Sequence, residues 1–411
     1  MLLPKMAHFS AAIFPTFRLP SSALFGLAAA LLLAVTGVLP ASGAGSGQPK
    51  AVEEALTKAG ANRAELQIAL KSVPAAQREG MQFLIANMPV ADLQTLSSKY
   101  LLESVGIAYE AYEKAPWKGS IAKDLFLNDI LPYSCLNEQR DDSRKMLREK
   151  SLPLIADCKT AGEAAQRLNQ KLFPLLNARY STERKRPDQN PTETIASGKA
   201  TCSGLSILLV DACRAVGIPA RVAGTPLWTN LRGNHTWVEV WDGEWHFTGA
   251  AEPDPAGLDR GWFVGDASKA RKDLPQHAIY ASSFKQTGIA FPLVWAPEIG
   301  WIPAVNVTDR YTPKTAAVDK PQMLVKVLNK AGKRVAAQVA LRELTKSAVT
   351  TTLEGTSKDE SADLNDMLTF DLLLSCPPPT YRLTVTYAGH TIHQDVKSDM
   401  SSQQVVVVTL P

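Results

Sequence analysis

The stretch His235-Thr-Trp-Val-Glu-Val-Trp-Asp-Gly-Glu-Trp-His-Phe-Thr248 constrains this chain more than any other. Large apolar residues alternate with polar ones on both sides of Asp242-Gly243. A period of two about an Asp-Gly pair predicts an antiparallel hairpin and argues against a helix. With a two-residue loop, Trp241 faces Glu244, Glu239 faces His246, Trp237 faces Thr248 and His235 faces Ala250. Cross-strand partners share a sheet face, so parity puts Glu252 on the face of His235. That inference depends on register, because one extra loop residue sends Glu252 to the other face.

A helix precedes the hairpin. Leu205, Leu208, Leu209, Ala212, Cys213 and Val216 recur three and four apart, and Gly217 with Pro219 ends the run. Thr201 or Ser203 is the expected N-cap. Cys202 therefore stands at the N-terminus of a buried helix. There the helix dipole and the unpaired N–H groups favour a thiolate and can hold an oxyanion. Cys213, on the apolar stripe of the same helix, reads as a core thiol.

A Cys at a helix start, His-x-Trp-Val-Glu-Val on a following strand and a carboxylate after the next strand resemble the transglutaminase-like superfamily. Gly217-Ile-Pro-Ala-Arg-Val222 resembles that family's helix-to-strand connection. The resemblance covers about residues 190 to 255. It implies a papain-like scaffold with Cys202 as nucleophile and His235 as general base and acid. The family's Trp-x-x-x-Asp spacing, counted from Trp245, lands on Gly249. The nearest carboxylates are Glu252 and Asp254; Glu252 agrees with the parity argument and is the expected third residue, with Asp254 next. The implied reaction is acyl transfer on a peptide or carboxamide, by hydrolysis or transglutamination. The rival is a non-catalytic exported module that keeps the scaffold.

The rest of the chain supplies context. Residues 1–21 carry Lys5 and Arg18 and no acid, Ala23 to Leu39 is apolar, and Ala41-Ser-Gly-Ala44 is a small-residue exit. This predicts a signal segment over 1–44, or an anchor, and hence an exported protein whose membrane contact is limited to that segment. Leu66–Lys71, Met81–Leu84 and Leu101–Tyr112 repeat at helical spacing between Pro74, Pro89 and Pro116, with Phe83, Tyr109, Tyr112 and Trp117 as core aromatics. Ser181–Thr201 reads as a long polar loop. After a break near Thr312–Lys320, the runs Met323–Val327, Arg334–Leu341, Leu368–Leu374, Tyr381–Tyr387 and Val405–Leu410 have period two. Roughly seven strands in that segment fit a small β-sandwich, similar to transthyretin-like or carboxypeptidase-regulatory-like modules.

The expected fold is thus α+β: a helical N-terminal region (45–180), a papain/transglutaminase-like core (181–316) and a C-terminal β-sandwich (317–411). A net charge of +4 in mixed order does not point to nucleic acid. The expected partner is a protein or peptide substrate. Five scattered cysteines without CxxC, and six histidines without HExxH, point to neither a disulfide scaffold nor a metal site, and the pattern calls for no cofactor. Trp241 and Trp245 read as core, whereas Trp237 shares the face of His235 and is a candidate for the cleft wall. His246, His390 and His393 read as ordinary strand residues.

Overall fold

The computed structural model describes residues 49–312, 320–344, 352–373, 375, 377–401 and 403–411. The expected signal segment and Cys376 lie outside these residues. No helix among the described residues is long and apolar enough to cross a membrane.

The N-terminal region is helical: α1 (Lys50–Lys58), α2 (Arg63–Ser72), α3 (Arg78–Asn87), α4 (Val90–Thr95), α5 (Ser98–Lys114) and α6 (Lys123–Asp129). Helices α1, α2, α3 and α5 each present one apolar stripe inward. In α1 this is Val52, Ala55 and Leu56, the three-and-four spacing of an amphipathic helix. Helices α7 (Ser143–Ser151) and α8 (Ala161–Leu176) follow, then strand β1 (Arg179–Tyr180). The expected loop 181–201 is partly ordered: α9 (Pro191–Ser197) and strand β2 (Lys199–Ala200) lie within it. Asn190 and Glu193 close a reciprocal capping box, and Pro191 holds the first helical position, a combination that favours a helix start.

Helix α10 (Cys202–Ala215) is the centre of the molecule, and nearly every residue from Ser203 onward is buried. It packs on one face against β3 (Ala220–Thr225) and β4 (His235–Trp241), and elsewhere against α5, α7 and α8. The sheet continues with β5 (Trp245–Thr248), β6 (Tyr280–Ser282) and β7 (Ala304–Asn306) in the order β5-β4-β3-β6-β7, with all pairs antiparallel. One hydrophobic cluster runs from Val52 to Ala304, so the helical region and the sheet share a core. Trp117 joins them at the end of α10, its indole N–H donating to the Gly217 carbonyl at 2.7 Å.

The hairpin β4–β5 forms, but one residue out of the expected register. Trp241 pairs with Trp245, Val240 with His246, Glu239 with Phe247 and Val238 with Thr248. The loop holds three residues, Asp242, Gly243 and Glu244, with Gly243 in the left-handed region at φ +84° and the Asp242 N–H returning to the Glu244 carbonyl. Asp242 Oδ2 accepts from the Gly162 N–H at the start of α8, which draws Asp242 out of the strand. Trp237 is fully buried between Trp228 and Phe263, so it is core and lines no cleft.

Among the described residues, seven further strands form the C-terminal sandwich: β8 (Gln322–Leu328), β9 (Gln338–Glu343), β10 (Leu353–Thr356), β11 (Leu368–Asp371), β12 (Thr380–Tyr387), β13 (His390–Lys397) and β14 (Gln404–Thr409). One sheet runs β10-β9-β12-β13 and the other β11-β8-β14. They enclose a separate core that includes Met323, Val325, Leu341, Leu383 and Val406. The alternation is visible along β14, where Val406 and Val408 are buried while Val405 and Val407 face outward.

Candidate active site

Cys202 opens α10 and is fixed from both sides. Thr201 is the N-cap: its Oγ1 accepts from the Gly204 N–H at 3.1 Å and donates to the Pro187 carbonyl at 2.6 Å. Ser203 Oγ and Thr236 Oγ1 share a hydrogen bond of 2.8 Å, which ties the helix start to β4 beside His235. The Gly204 N–H is taken by the Thr201 cap, which leaves the N–H groups of Cys202 and Ser203 at the helix start to hold negative charge that develops at Cys202.

His235 begins β4, opposite Thr225 of β3, and is buried. Its ring is set among Trp262 (4.6 Å between centroids), Phe263 (5.0 Å), Trp237 (5.8 Å) and Trp228 (6.2 Å). Cys202 Sγ, a ring nitrogen of His235 and a carboxylate oxygen of Asp363 lie within 4.8 Å of one another. Asp363 Oδ2 stands 3.6 Å from His235 Nδ1, an ion-pair distance beyond hydrogen-bond reach, and neither ring nitrogen has a hydrogen-bond partner. Burial opposes a charged imidazole here. The Asp363 carboxylate, and after it Cys202, outweigh burial and hold His235 well above the ordinary histidine range. The reciprocal effect lowers Asp363: burial alone would raise it, but His235 prevails.

Glu252 reaches this neighbourhood by a different route from the one parity suggested. After β5 the chain turns at Ala251, which has φ +63°, and the Glu252 N–H returns to the Gly249 carbonyl at 3.2 Å. The Glu252 carboxylate then lies 2.7 Å from where a Cβ on Gly249 would stand. It fills the volume that a side chain at position 249 would occupy, where the resemblance expects an Asp. Its Oε2 accepts from the Trp262 indole N–H at 2.9 Å. Burial raises its pKa to about 7, against the pull of His235. Asp254 turns back on its own loop, accepting from the Ala256 N–H at 2.8 Å.

Sequence reasoning missed Asp363. It lies between β10 and β11, in Lys358-Asp-Glu-Ser-Ala-Asp-Leu-Asn-Asp366, a run more acidic than a spacer between strands needs. That density was the available signal, though nothing in it pointed to His235. Cys202 faces a cleft of ≈ 250 Å³ whose wall includes Tyr180, Thr201, Trp295, Asp363 and Leu364.

Among the described residues, two clusters offer side-chain types that can ligate a metal, Cys202–His235–Asp363 and Cys135–Glu138–Asp211. The second is already internally paired: both Glu138 oxygens accept backbone N–H groups, from Cys135 and Leu136, and Cys135 Sγ donates to Asp211 at 3.4 Å. His246, which the shifted register places opposite Val240, pairs with Asp259 at 2.6 Å.

Residues 148–267 match the model of the transglutaminase-like superfamily core. Among solved structures, the chain is similar to a "Putative Cysteine Protease" from Cytophaga hutchinsonii at 20% identity, over 31% of this chain and 44% of that one, with a TM-score of 0.25. It is also similar to a "Putative Protease" from Parabacteroides distasonis at 9% identity, over 72% of this chain and 52% of that one, again with a TM-score of 0.25. These matches span about half the length of each solved chain. No curated protein matches. A Cys at a helix start, a buried His on the adjoining strand and the family match over the same residues lead to one conclusion: residues 148–267 form a transglutaminase-like superfamily domain.

Proposed function

We propose that this chain is an exported, thiol-dependent acyl-transfer enzyme that hydrolyses peptide or carboxamide bonds. The observation that carries the reading is Cys202 Sγ within 4.8 Å of a His235 ring nitrogen, at the free N-terminal end of α10. In the reaction, the Cys202 thiolate attacks the amide carbonyl carbon. The tetrahedral oxyanion is held by N–H groups at the start of α10. His235 gives a proton to the departing amine as the C–N bond breaks, leaving a thioester on Cys202. His235 then takes a proton from water, and the hydroxide releases the acid and returns Cys202 as the thiolate facing a protonated His235. An amine in place of water gives transglutamination from the same thioester. Glu252 is the acid assigned to orient His235 once its carboxyl exchanges the Trp262 indole for the ring, a role supported by its occupation of the volume above Gly249. The substrate is a protein or peptide segment, in keeping with a cleft walled by Tyr180 and Trp295.

The second reading is a non-catalytic module. It is favoured by the unpartnered ring nitrogens of His235. Incubating a peptide mixture with the full chain, with Cys202→Ala and with His235→Ala, then mass-mapping new termini, deamidated glutamines and amine adducts, separates the two. One product class present only with the unmodified chain supports the enzyme. Identical products from all three leave the binding module.

A further inference from the structure

We propose that the loop between β10 and β11 is a built-in competitor that keeps the Cys202–His235 pair at rest, with Asp363 claiming the imidazolium that the thiolate needs. This rests on the acyl-transfer reading above. In a relay that activates a nucleophile, the carboxylate takes the nitrogen far from the nucleophile. Two hydrogen-bond lengths and the ring between them then separate acid from thiol by roughly 7 Å. Here the Asp363 oxygen and Cys202 Sγ are within 4.8 Å of each other, so both crowd one side of the ring. A carboxylate there repels a neighbouring thiolate and takes up the imidazolium charge that would otherwise pair with it. Glu252, the acid expected to take that other nitrogen, is engaged with Trp262 instead.

The loop is constructed to hold this position. Asp363 Oδ1 accepts from the Asn365 N–H at 2.8 Å, which aims Oδ2 at His235. The buried Arg334 donates to the carbonyls of Asp363 (2.7 Å) and Ala362 (2.6 Å). Three contacts seat the loop on the core: the Leu364 N–H donates to Tyr180 OH, Asn365 Nδ2 to the Asn234 carbonyl, and Arg232 Nη1 to the Asn365 carbonyl. Further polar bonds cross the seat. Arg232 also pairs with Asp266, Gln403 bonds both Asp266 and Asn230, and a gap of ≈ 320 Å³ lies between the sandwich and the core. A polar, incompletely packed contact of this kind can be released without unfolding either hydrophobic core.

The test is iodoacetamide labelling of Cys202 in the full chain at about pH 6, where few ordinary thiols are ionised. Asp363→Asn keeps the acceptor for Asn365 and removes the charge. Arg232→Ala loosens the seat and leaves Asp363 intact. Circular dichroism checks that both fold. The expected result is labelling about tenfold faster in each, one pKa unit's worth of thiolate, and abolition of the gain by adding His235→Ala. If the unmodified chain labels fast through His235 and Asp363→Asn is no faster, the competitor is overturned and the acyl-transfer reading stands. Should Asp363→Asn be faster with His235→Ala making no difference, Asp363 acts on the thiol alone and the competitor is again overturned. If no variant shows labelling that depends on His235, the acyl-transfer reading fails and takes the competitor with it.

Discussion

The Trp262 indole N–H donates to Glu252 Oε2 at 2.9 Å, and this bond, rather than one to His235, holds the carboxyl group. Burial places that carboxyl at about 7, above its value in an unfolded chain. An acid whose folded pKa is raised binds its proton more tightly when folded. Its contribution is therefore complete below the unfolded value and lost as the pH rises through about 7, amounting to at most roughly 3 kcal/mol. Glu252→Gln keeps the acceptor for Trp262 and cannot ionise. The fall in melting temperature from pH 5 to pH 8 is expected to be smaller in Glu252→Gln than in the unmodified chain. Equal falls would mean that Glu252 is ionised at both pH values.

Cysteine labelling of the native protein should single out Cys202. Cys135, Cys158 and Cys213 are buried, and burial raises the pKa of each, Cys213 to about 12. Only the thiolate reacts, so mass mapping after brief alkylation at neutral pH should find Cys202 modified first among these four. Early modification of Cys158 would show that the start of α8 opens in solution.

How much of this was legible in the sequence depends on how local each cause is. The Cys202 helix was legible because period, cap and stop signal all lie within twenty residues of one another. The hairpin was legible in kind but not in register, because register turned on one backbone angle at Gly243 and on the reach of Asp242 to α8. Strand β13, His-Thr-Ile-His-Gln-Asp-Val-Lys, is an edge strand with polar residues on both faces and carries little alternation to read. Asp363 was out of reach altogether. It comes to His235 from a sandwich with its own core, and no periodicity links two cores that meet through polar side chains.

Glu239 is the buried anchor of β4. It accepts from Arg221 Nε at 2.8 Å, Arg310 Nη1 at 2.9 Å and Tyr311 OH at 2.9 Å, while Arg221 lies over the Trp245 ring at 3.8 Å. Glu239→Ala leaves Arg221 charged, buried and without its carboxylate, a loss of about 3–5 kcal/mol. The strand carrying His235 should loosen with it. The expected outcome is a fall of several degrees in the melting temperature and, when Glu239→Ala is combined with Asp363→Asn, slower labelling of Cys202 than in Asp363→Asn alone. A variant that melts like the unmodified chain would show that the network is dispensable.

Gly217 ends the central helix at φ +81°, and a Cβ there would stand 2.6 Å from the Ala111 carbonyl oxygen of α5. Gly217→Ala therefore meets two penalties at once, a left-handed backbone and a clash with main chain that α5 cannot easily move. The junction has little slack, because the Gly217 carbonyl is also the acceptor for the buried Trp117 indole. Together these should destabilise the chain by about 2 kcal/mol or more. The effect should appear as a lower melting temperature, with Cys202 labelling nearly unchanged well below the transition, since α10 begins far from where it ends. Trp117→Phe removes the hydrogen bond without the clash and should cost about 1 kcal/mol. If Gly217→Ala proves no worse than Trp117→Phe, the α5–α10 contact is looser than the packing around Ala111 and Ala115 requires.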